Sequence, residues 1–171
     1  MIEWQEAVRT ARALIGTPYA SLDCINLVKK VIRSAPGGVR SYTTAGTNSL
    51  WNSAGMSAKY RDLTWRQEGI AGAAAGMLAF QKRGSDVHHV GLVTDEGTVI
   101  HASSARGEVV ETPLESGAGW NLLAVHRYIR PAERKAKTRE ENEAGCVTIV
   151  DSAENVFVPV GDFRVLIGSR D

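Results

Sequence analysis

Three residues of the sequence have types and positions that suit acyl transfer: Cys24, His89 and His101. Cys24 stands at the expected start of a helix, where unpaired backbone N–H groups and the helix dipole favour an anion. A thiol in that position is expected to ionise more readily, and the thiolate is the useful nucleophile. One histidine could take the thiol proton while the other holds the first in the correct tautomer. The sequence therefore predicts a cysteine nucleophile served by a histidine pair.

The two histidines lie on consecutive predicted strands. The segments 87–94 and 98–103 are rich in β-branched residues, and the three residues between them have turn chemistry. A three-residue turn is favoured because Gly97 suits its left-handed position. In that register His89 and His101 lie on the same face of the hairpin, since strand side chains alternate. A two-residue turn would place them on opposite faces.

Two amphipathic helices are predicted near the N-terminus. Apolar residues at spacings of three and four indicate the first over residues 2–15. The second begins at Asp23, a good N-cap residue directly before the cysteine. Further along, the sequence is rich in Gly, Ser, Thr and Asn, and we expect one or two short helices around 47–54 and 64–75.

Strand-like segments dominate from residue 76 onward. Helices followed by a run of antiparallel strands indicate an α+β fold, with the N-terminal helices packed on an antiparallel β-sheet. The expected strands cover residues 77–80, 87–94, 98–103, 108–112 and 122–129.

The composition divides the chain into three parts. Residues 1–129 contain the predicted helices and strands and form the expected catalytic domain. Residues 130–145 contain five basic and four acidic side chains and no large apolar one, which indicates a charged linker or an exposed helix. Residues 146–171 form a β-rich tail that is too short for a core of its own.

Charge and apolar content argue against several classes of function. The 20 Lys and Arg nearly balance the 19 Asp and Glu, so bulk charge gives no support for nucleic-acid binding. No apolar run approaches the length of a membrane-spanning helix, and the first residues lack the pattern of a signal peptide, so we expect a soluble protein made in the cytoplasm.

The cysteine count bears on metals and disulfides. The two cysteines, Cys24 and Cys146, are too far apart for a zinc knuckle and too few for a disulfide framework. Together with the two histidines, Cys24 could offer three zinc ligands, but its position at a helix start favours a role as a nucleophilic thiol. We therefore expect no metal and no cofactor, and the sequence does not indicate an oligomeric state.

Four short motifs occur in a fixed order along the chain. They are Gly16-Thr17-Pro18-Tyr19, Asp23-Cys24, His89-Val90-Gly91-Leu92-Val93 and Ile100-His101-Ala102-Ser103. In these motifs, over roughly residues 5–129, the sequence resembles the NlpC/P60 family of papain-like cysteine peptidases, which cut bacterial cell-wall peptides. The resemblance implies a papain-like NlpC/P60 fold and a thiol protease without a cofactor.

The resemblance implies a role for each matched catalytic residue. Cys24 is similar to the family's nucleophile, His89 matches its base, and His101 matches its third polar residue.

Three further residues precede the nucleophile and are expected to line the acyl side of the cleft: Tyr19, Ser21 and Asp23. Tyr19 resembles the tyrosine that lines the family's substrate cleft. Asp23 matches a residue that in some members recognises a free amino terminus, although it also suits a helix cap. Ile25 and Asn26 stand where the family usually has Ser-Gly.

The implied function is hydrolysis of peptidoglycan stem peptides, at the bond between D-glutamate and the diamino acid. The short link between Tyr19 and Cys24 is similar to that of phage or prophage members, which implies a lysin or a tail-associated hydrolase that reaches the wall by lysis or in a phage particle. Two alternatives stay open. One is an N-acetylmuramoyl-L-alanine amidase or an acyltransferase on the same fold, and the other is a catalytically silent wall-binding or tail-assembly protein.

Overall fold

The computed structural model describes residues 1–133 and the strand segments 149–150, 156–160 and 163–168. The chain divides into two compact units, Met1–Lys135 and Ala136–Asp171. Most of the charged segment predicted over 130–145 lies outside the described residues.

The described residues of the first unit contain three α-helices and a six-stranded antiparallel sheet, which confirms the α+β fold. The elements are β1 (Ile2–Glu3), α1 (Trp4–Arg12), α2 (Cys24–Ser34), α3 (Thr47–Asn52), β2 (Leu63–Glu68), β3 (Leu78–Arg83), β4 (Asp86–Val93), β5 (Thr98–Ser103), β6 (Glu108–Pro113), β7 (Leu122–His126) and β8 (Ile129–Arg130). The sheet has the strand order β2-β7-β3-β4-β5-β6, and the short strands β1 and β8 form a separate parallel pair.

The first helix is shorter than its predicted range of 2–15. Ile2 is fully buried and pairs with Ile129, so the chain starts as a strand and α1 begins only at Trp4. The second helix begins as predicted. The Asp23 side chain accepts a hydrogen bond of 2.8 Å from the backbone N–H of Asn26, which satisfies one of the unpaired donors of the first turn.

The predicted helix over 64–75 is wrong. This segment contains β2, in which a buried Leu63 and a half-buried Trp65 alternate with exposed residues. Such a period of two is typical of a half-buried strand. The partner strand is β7, almost sixty residues later, and pairing at that distance cannot be seen in the local sequence. The helix expected over 47–54 is confirmed as α3 followed by a 3₁₀ turn at Ser53–Gly55.

Apolar side chains cover both faces of the sheet. The helices pack on one face, where α2 lies against β4 and β5. On the opposite face a smaller buried cluster is formed by Ala74, Met77, Ala79, Val93, Val99, Trp120 and Leu123.

The β4–β5 hairpin has the predicted register. Leu92 pairs with Ile100, and the three-residue turn contains Gly97 at a φ of 72°. The two strands approach each other closely at Gly91. A Cβ at this position would lie 2.9 Å from the carbonyl oxygen of Ile100 and 3.0 Å from the Cβ of His101. The glycine therefore lets the second strand approach the first where the histidines stand.

The free edge of β6 is covered by the link between α1 and α2. The N–H of Gly16 donates to the carbonyl of Val109, and the N–H of Val109 donates back to Thr17, both at 2.9 Å. Two residues further along the chain, the N–H of Tyr19 donates to the carbonyl of Gly107 at 2.8 Å. These bonds hold the residues before Cys24 against the edge strand β6.

The second unit contains three described strands, β9 (Ile149–Val150), β10 (Val156–Val160) and β11 (Phe163–Gly168). They form an antiparallel sheet in the order β11-β10-β9. No helix in the described part of the chain has the length and apolar character needed to cross a membrane.

Candidate active site

The Cys24 thiol lies at the first residue of α2, packed against β4. Its side chain is buried, with 7% of the residue exposed. Burial raises the pKa of the thiol, and the nearby Asp23 carboxylate adds to the rise. Hydrogen bonds from the backbone N–H groups of Val90, Ile25 and Cys24 itself favour the thiolate but do not outweigh burial. The N–H groups at the helix start act in the expected direction, but the net pKa of the thiol is raised, because burial has the larger effect and the sequence does not show how deeply the group is buried.

The two predicted histidines are brought together. The Nε2 atom of His89 lies 2.8 Å from Nδ1 of His101, and the two rings meet edge to face. This bond leaves Nδ1 of His89 as the nitrogen that can exchange a proton with a substrate or nucleophile. The backbone N–H of Val90 donates a hydrogen bond to the Cys24 sulfur, and Val90 directly follows His89 in the chain.

The thiol and the imidazoles are not joined by a hydrogen bond among the described residues. Bonds between a nucleophile and its base are often long or misaligned before substrate binds and tighten afterwards. The arrangement supplies a thiol, a basic nitrogen on the strand that contacts this thiol, and a group that orients that base, which are the parts needed for nucleophilic acyl transfer.

Two residues that the sequence analysis did not single out belong to this cluster. Thr112 on β6 places Oγ1 3.1 Å from Nε2 of His101. Trp120, with 1% of its surface exposed, lies against both imidazoles, with ring centroids 5.4 Å from His89 and 5.3 Å from His101. The signal for Thr112 was its position two residues beyond Val110, the direct partner of His101, on the same face of the sheet.

Both imidazoles are neutral near pH 7. Burial, together with the neighbouring His101 and His88, lowers the pKa of His89 to about 4. Burial together with the positive charge of Arg106 likewise lowers the pKa of His101 to about 4. With the pKa of the Cys24 thiol raised and the pKa values of both imidazoles lowered, the thiol keeps its proton and the imidazoles are unprotonated near pH 7.

The three predicted cleft residues lie just before the nucleophile in the chain, as the sequence requires. Tyr19 is half-buried, and the pKa of its phenol is raised by burial and by the nearby Cys24 and Asp23 side chains, which shows that the three groups lie close together. Asp23 serves as the helix cap. Ser21 is exposed. Whether these residues contact a substrate stays a prediction.

The two remaining histidines have different surroundings. His88 is exposed, at an irregularity where the register of β3 and β4 shifts between Gln81 and Lys82. His126 is fully buried, accepts a hydrogen bond at Nδ1 from the N–H of Tyr128 at 3.2 Å, and lies 3.0 Å from the hydroxyl of Tyr42 through Nε2. Both of its nitrogens are occupied, so His126 is a structural residue.

The buried histidines make stability depend on pH. Burial lowers the pKa of His126 to about 3, against an ordinary value of 6.5, so the unfolded chain binds protons before the folded one. We expect the free energy of unfolding to be highest above pH 6.5 and to fall as the pH drops from 6.5 towards 4 and below. Urea titrations at several pH values measure this slope.

The variant His126→Gln separates this effect from other titrations. Glutamine keeps one acceptor and one donor for the same partners but carries no titrating group. Its free energy of unfolding should fall less steeply below pH 6.5 than that of the wild type. Equal slopes for the two proteins would show that His126 is not held neutral by the fold.

No three His, Cys, Asp or Glu side chains in the described part of the chain are grouped so that they could hold a metal ion.

Comparisons with known proteins place the fold. No family model and no curated protein matches the sequence. Among solved structures, the peptidoglycan hydrolase RipB from Mycobacterium tuberculosis is 20% identical, with a TM-score of 0.52 over 73% of this chain and 65% of that one. The P60 domain of an antigen from M. avium subspecies paratuberculosis is 16% identical, with a TM-score of 0.52 over 71% of this chain and 93% of that one. The NlpC/p60 domain of the peptidoglycan hydrolase SagA is 20% identical, with a TM-score of 0.48 over 71% of this chain and 97% of that one.

Proposed function

The chain has the NlpC/P60 fold, and we propose that it is a cysteine peptidase that hydrolyses peptide bonds in the stem peptides of bacterial peptidoglycan. Cys24 is the nucleophile, His89 the general base and acid, and His101 the residue that orients His89. The similar structure RipB is described as a peptidoglycan hydrolase, which supports the substrate class.

The observation that carries the proposal is the 2.8 Å contact between Nε2 of His89 and Nδ1 of His101. It fixes the ring of His89 and leaves Nδ1 free, on the strand that also supplies an N–H group to the Cys24 sulfur. Apolar residues would fill this part of the protein at a lower cost in free energy than two neutral imidazoles and a thiol, because buried polar groups need hydrogen-bond partners. The presence of these polar groups therefore supports a chemical role.

The reaction follows from the protonation states of these groups. The thiol proton of Cys24 passes to Nδ1 of His89 as the sulfur bonds to the substrate carbonyl carbon. The imidazolium, held by His101, then gives the proton to the leaving nitrogen as the C–N bond breaks, and a thioester remains. Water attacks the thioester while His89 takes one of its protons, the C–S bond breaks, and the thiolate regains that proton.

The bond we propose is the one between D-glutamate and the diamino acid of the stem peptide. The short link between Tyr19 and Cys24 supports a phage or prophage enzyme that acts on the wall after lysis or as part of a particle.

The function is tested by digesting purified peptidoglycan and identifying the released fragments by mass spectrometry. New termini at D-glutamate and the diamino acid are the expected result. Fragments cut between the glycan and L-alanine would instead show an amidase, and wall binding without any released fragment would show a silent binding protein. New amide bonds formed with an added amine would show an acyltransferase.

Asp23 tests substrate recognition separately from folding. Asn caps a helix about as well as Asp, so Asp23→Asn should keep the 2.8 Å cap while removing the charge. If Asp23 also binds the ammonium group of a free stem peptide, the variant should lose on the order of 1.5–3 kcal/mol of that binding. The measurement compares kcat/KM on free and N-acetylated peptides.

The acetylated peptide is the internal control for this experiment, because it offers no ammonium group. Equal rates of the wild type on both peptides would contradict amine recognition. They would favour an endopeptidase that acts on intact, cross-linked wall.

A further inference from the structure

The histidine pair continues into a third group on the neighbouring strand. Oγ1 of Thr112 lies 3.1 Å from Nε2 of His101, while Nδ1 of the same ring lies 2.8 Å from His89. The side chains form one hydrogen-bonded chain that runs from β4 through β5 to β6. Each ring nitrogen along it, except Nδ1 of His89, has a partner among the described residues.

The residue that orients His89 is itself a histidine, His101, and its proton can sit on either ring nitrogen. An asparagine or glutamine at this position would not have that ambiguity. An amide carries its acceptor and its donor on separate atoms, whereas a neutral imidazole can hold its proton on either nitrogen. For His89 to act as a base through Nδ1, its own proton must sit on Nε2 and be donated to His101. His101 can accept it only if the His101 proton sits on Nε2.

We propose that Thr112 is a positioning residue that selects this tautomer of His101. Its hydroxyl oxygen accepts the Nε2 proton of His101, so Nδ1 of that ring stays bare and faces His89. The nearly buried His101, 9% exposed, would otherwise hold an N–H group without a protein partner and would favour the opposite tautomer. Reversal of His101 forces the His89 proton onto Nδ1 and removes the base. This inference rests on the proposed cysteine mechanism.

The strand that carries Thr112 is itself held in place. The neighbouring Glu111 points to the helix face and makes a two-point contact with Arg12 of α1, at 3.1 Å and 3.0 Å. This contact lowers the pKa of the Glu111 carboxyl, which stays charged. Thr112 therefore reaches His101 from a strand that is fixed on its other side.

The test replaces Thr112 with valine, which has the same shape without the hydroxyl. We expect kcat to fall about tenfold to a hundredfold with KM little changed, since a partner is lost from a buried donor. Thr112→Ser restores the hydroxyl and should recover most of kcat. Thr64→Val is the matched control, because it removes an exposed hydroxyl on β2 that bonds a carbonyl at 3.4 Å.

A second measurement does not depend on hydrolysis. The ¹⁵N chemical shifts of the His101 ring report which nitrogen carries the proton, and we expect Nε2 in the wild type and a shift towards Nδ1 in Thr112→Val. An Nδ1 proton in the wild type, or an unchanged tautomer and kcat in the variant, would overturn the proposal. If the wild type hydrolyses no peptidoglycan but shows the expected tautomers, the proposed function fails while the role of Thr112 stands.

Discussion

Cys24→Ser is expected to abolish peptidoglycan hydrolysis, with a loss of at least about a thousandfold in kcat/KM. Serine is close to cysteine in size and suits the first turn of a helix, so the fold should persist. The surrounding N–H groups and His89 are arranged for a thiol whose pKa burial has already raised, and an alkoxide is far harder to generate at neutral pH. Fragment release measured by mass spectrometry, with circular dichroism to confirm folding, gives the result.

The control uses the second cysteine of the sequence. Cys146→Ser should release fragments at nearly the wild-type rate, because the proposed chemistry uses only the thiol on α2. Substantial hydrolysis by Cys24→Ser would rule out the cysteine mechanism. A large loss of hydrolysis in Cys146→Ser would mean that the proposal has assigned the chemistry to the wrong thiol.

The histidine pair gives the second large effect. His89→Ala removes the group that takes and returns the proton, and we expect a loss of about a hundredfold to ten-thousandfold. His101→Ala should cost less, because His101 orients the base without exchanging the substrate's proton. His101→Asn should retain part of the activity, since its amide oxygen can accept the proton of His89 at Nε2.

The exposed neighbour His88 is the matched control for this series. It differs from His89 by one position on the same strand, so His88→Ala removes an imidazole without touching the His101 contact. Its rate should stay close to that of the wild type. If His88→Ala lost as much activity as His89→Ala, the register of β4 at its irregularity would be shifted by one residue from that of the structure.

The hairpin that carries the histidines could be predicted from the sequence because its information is local. The turn residues and the alternation of side chains fix which positions face each other, and Gly97 marks the turn. The Asp23 cap was readable for the same reason, since a cap depends on residues within one turn. These two local features define where Cys24, His89 and His101 stand.

Features that depend on distant contacts were not accessible in this way. The helix predicted over 64–75 fails because β2 is stabilised by its pairing with β7, which overrides local propensity. The direction of the Cys24 pKa depends on how far α2 is buried, and Trp120 reaches the imidazoles from a loop after β6. Thr112 could have been found once the pairing of β5 with β6 was known, as it lies one diagonal step from His101.

The bonds between the link at Gly16–Tyr19 and the edge of β6 bear on the order in which the chain folds. They join residues about ninety positions apart, and closing so long a loop costs conformational entropy before any contact offsets it. During synthesis the thiol emerges well before the strands that carry its base and Thr112. In every nascent chain that ends before β4, the Cys24 thiol therefore lacks both the residues proposed to assist it and the edge strand that holds the link before it.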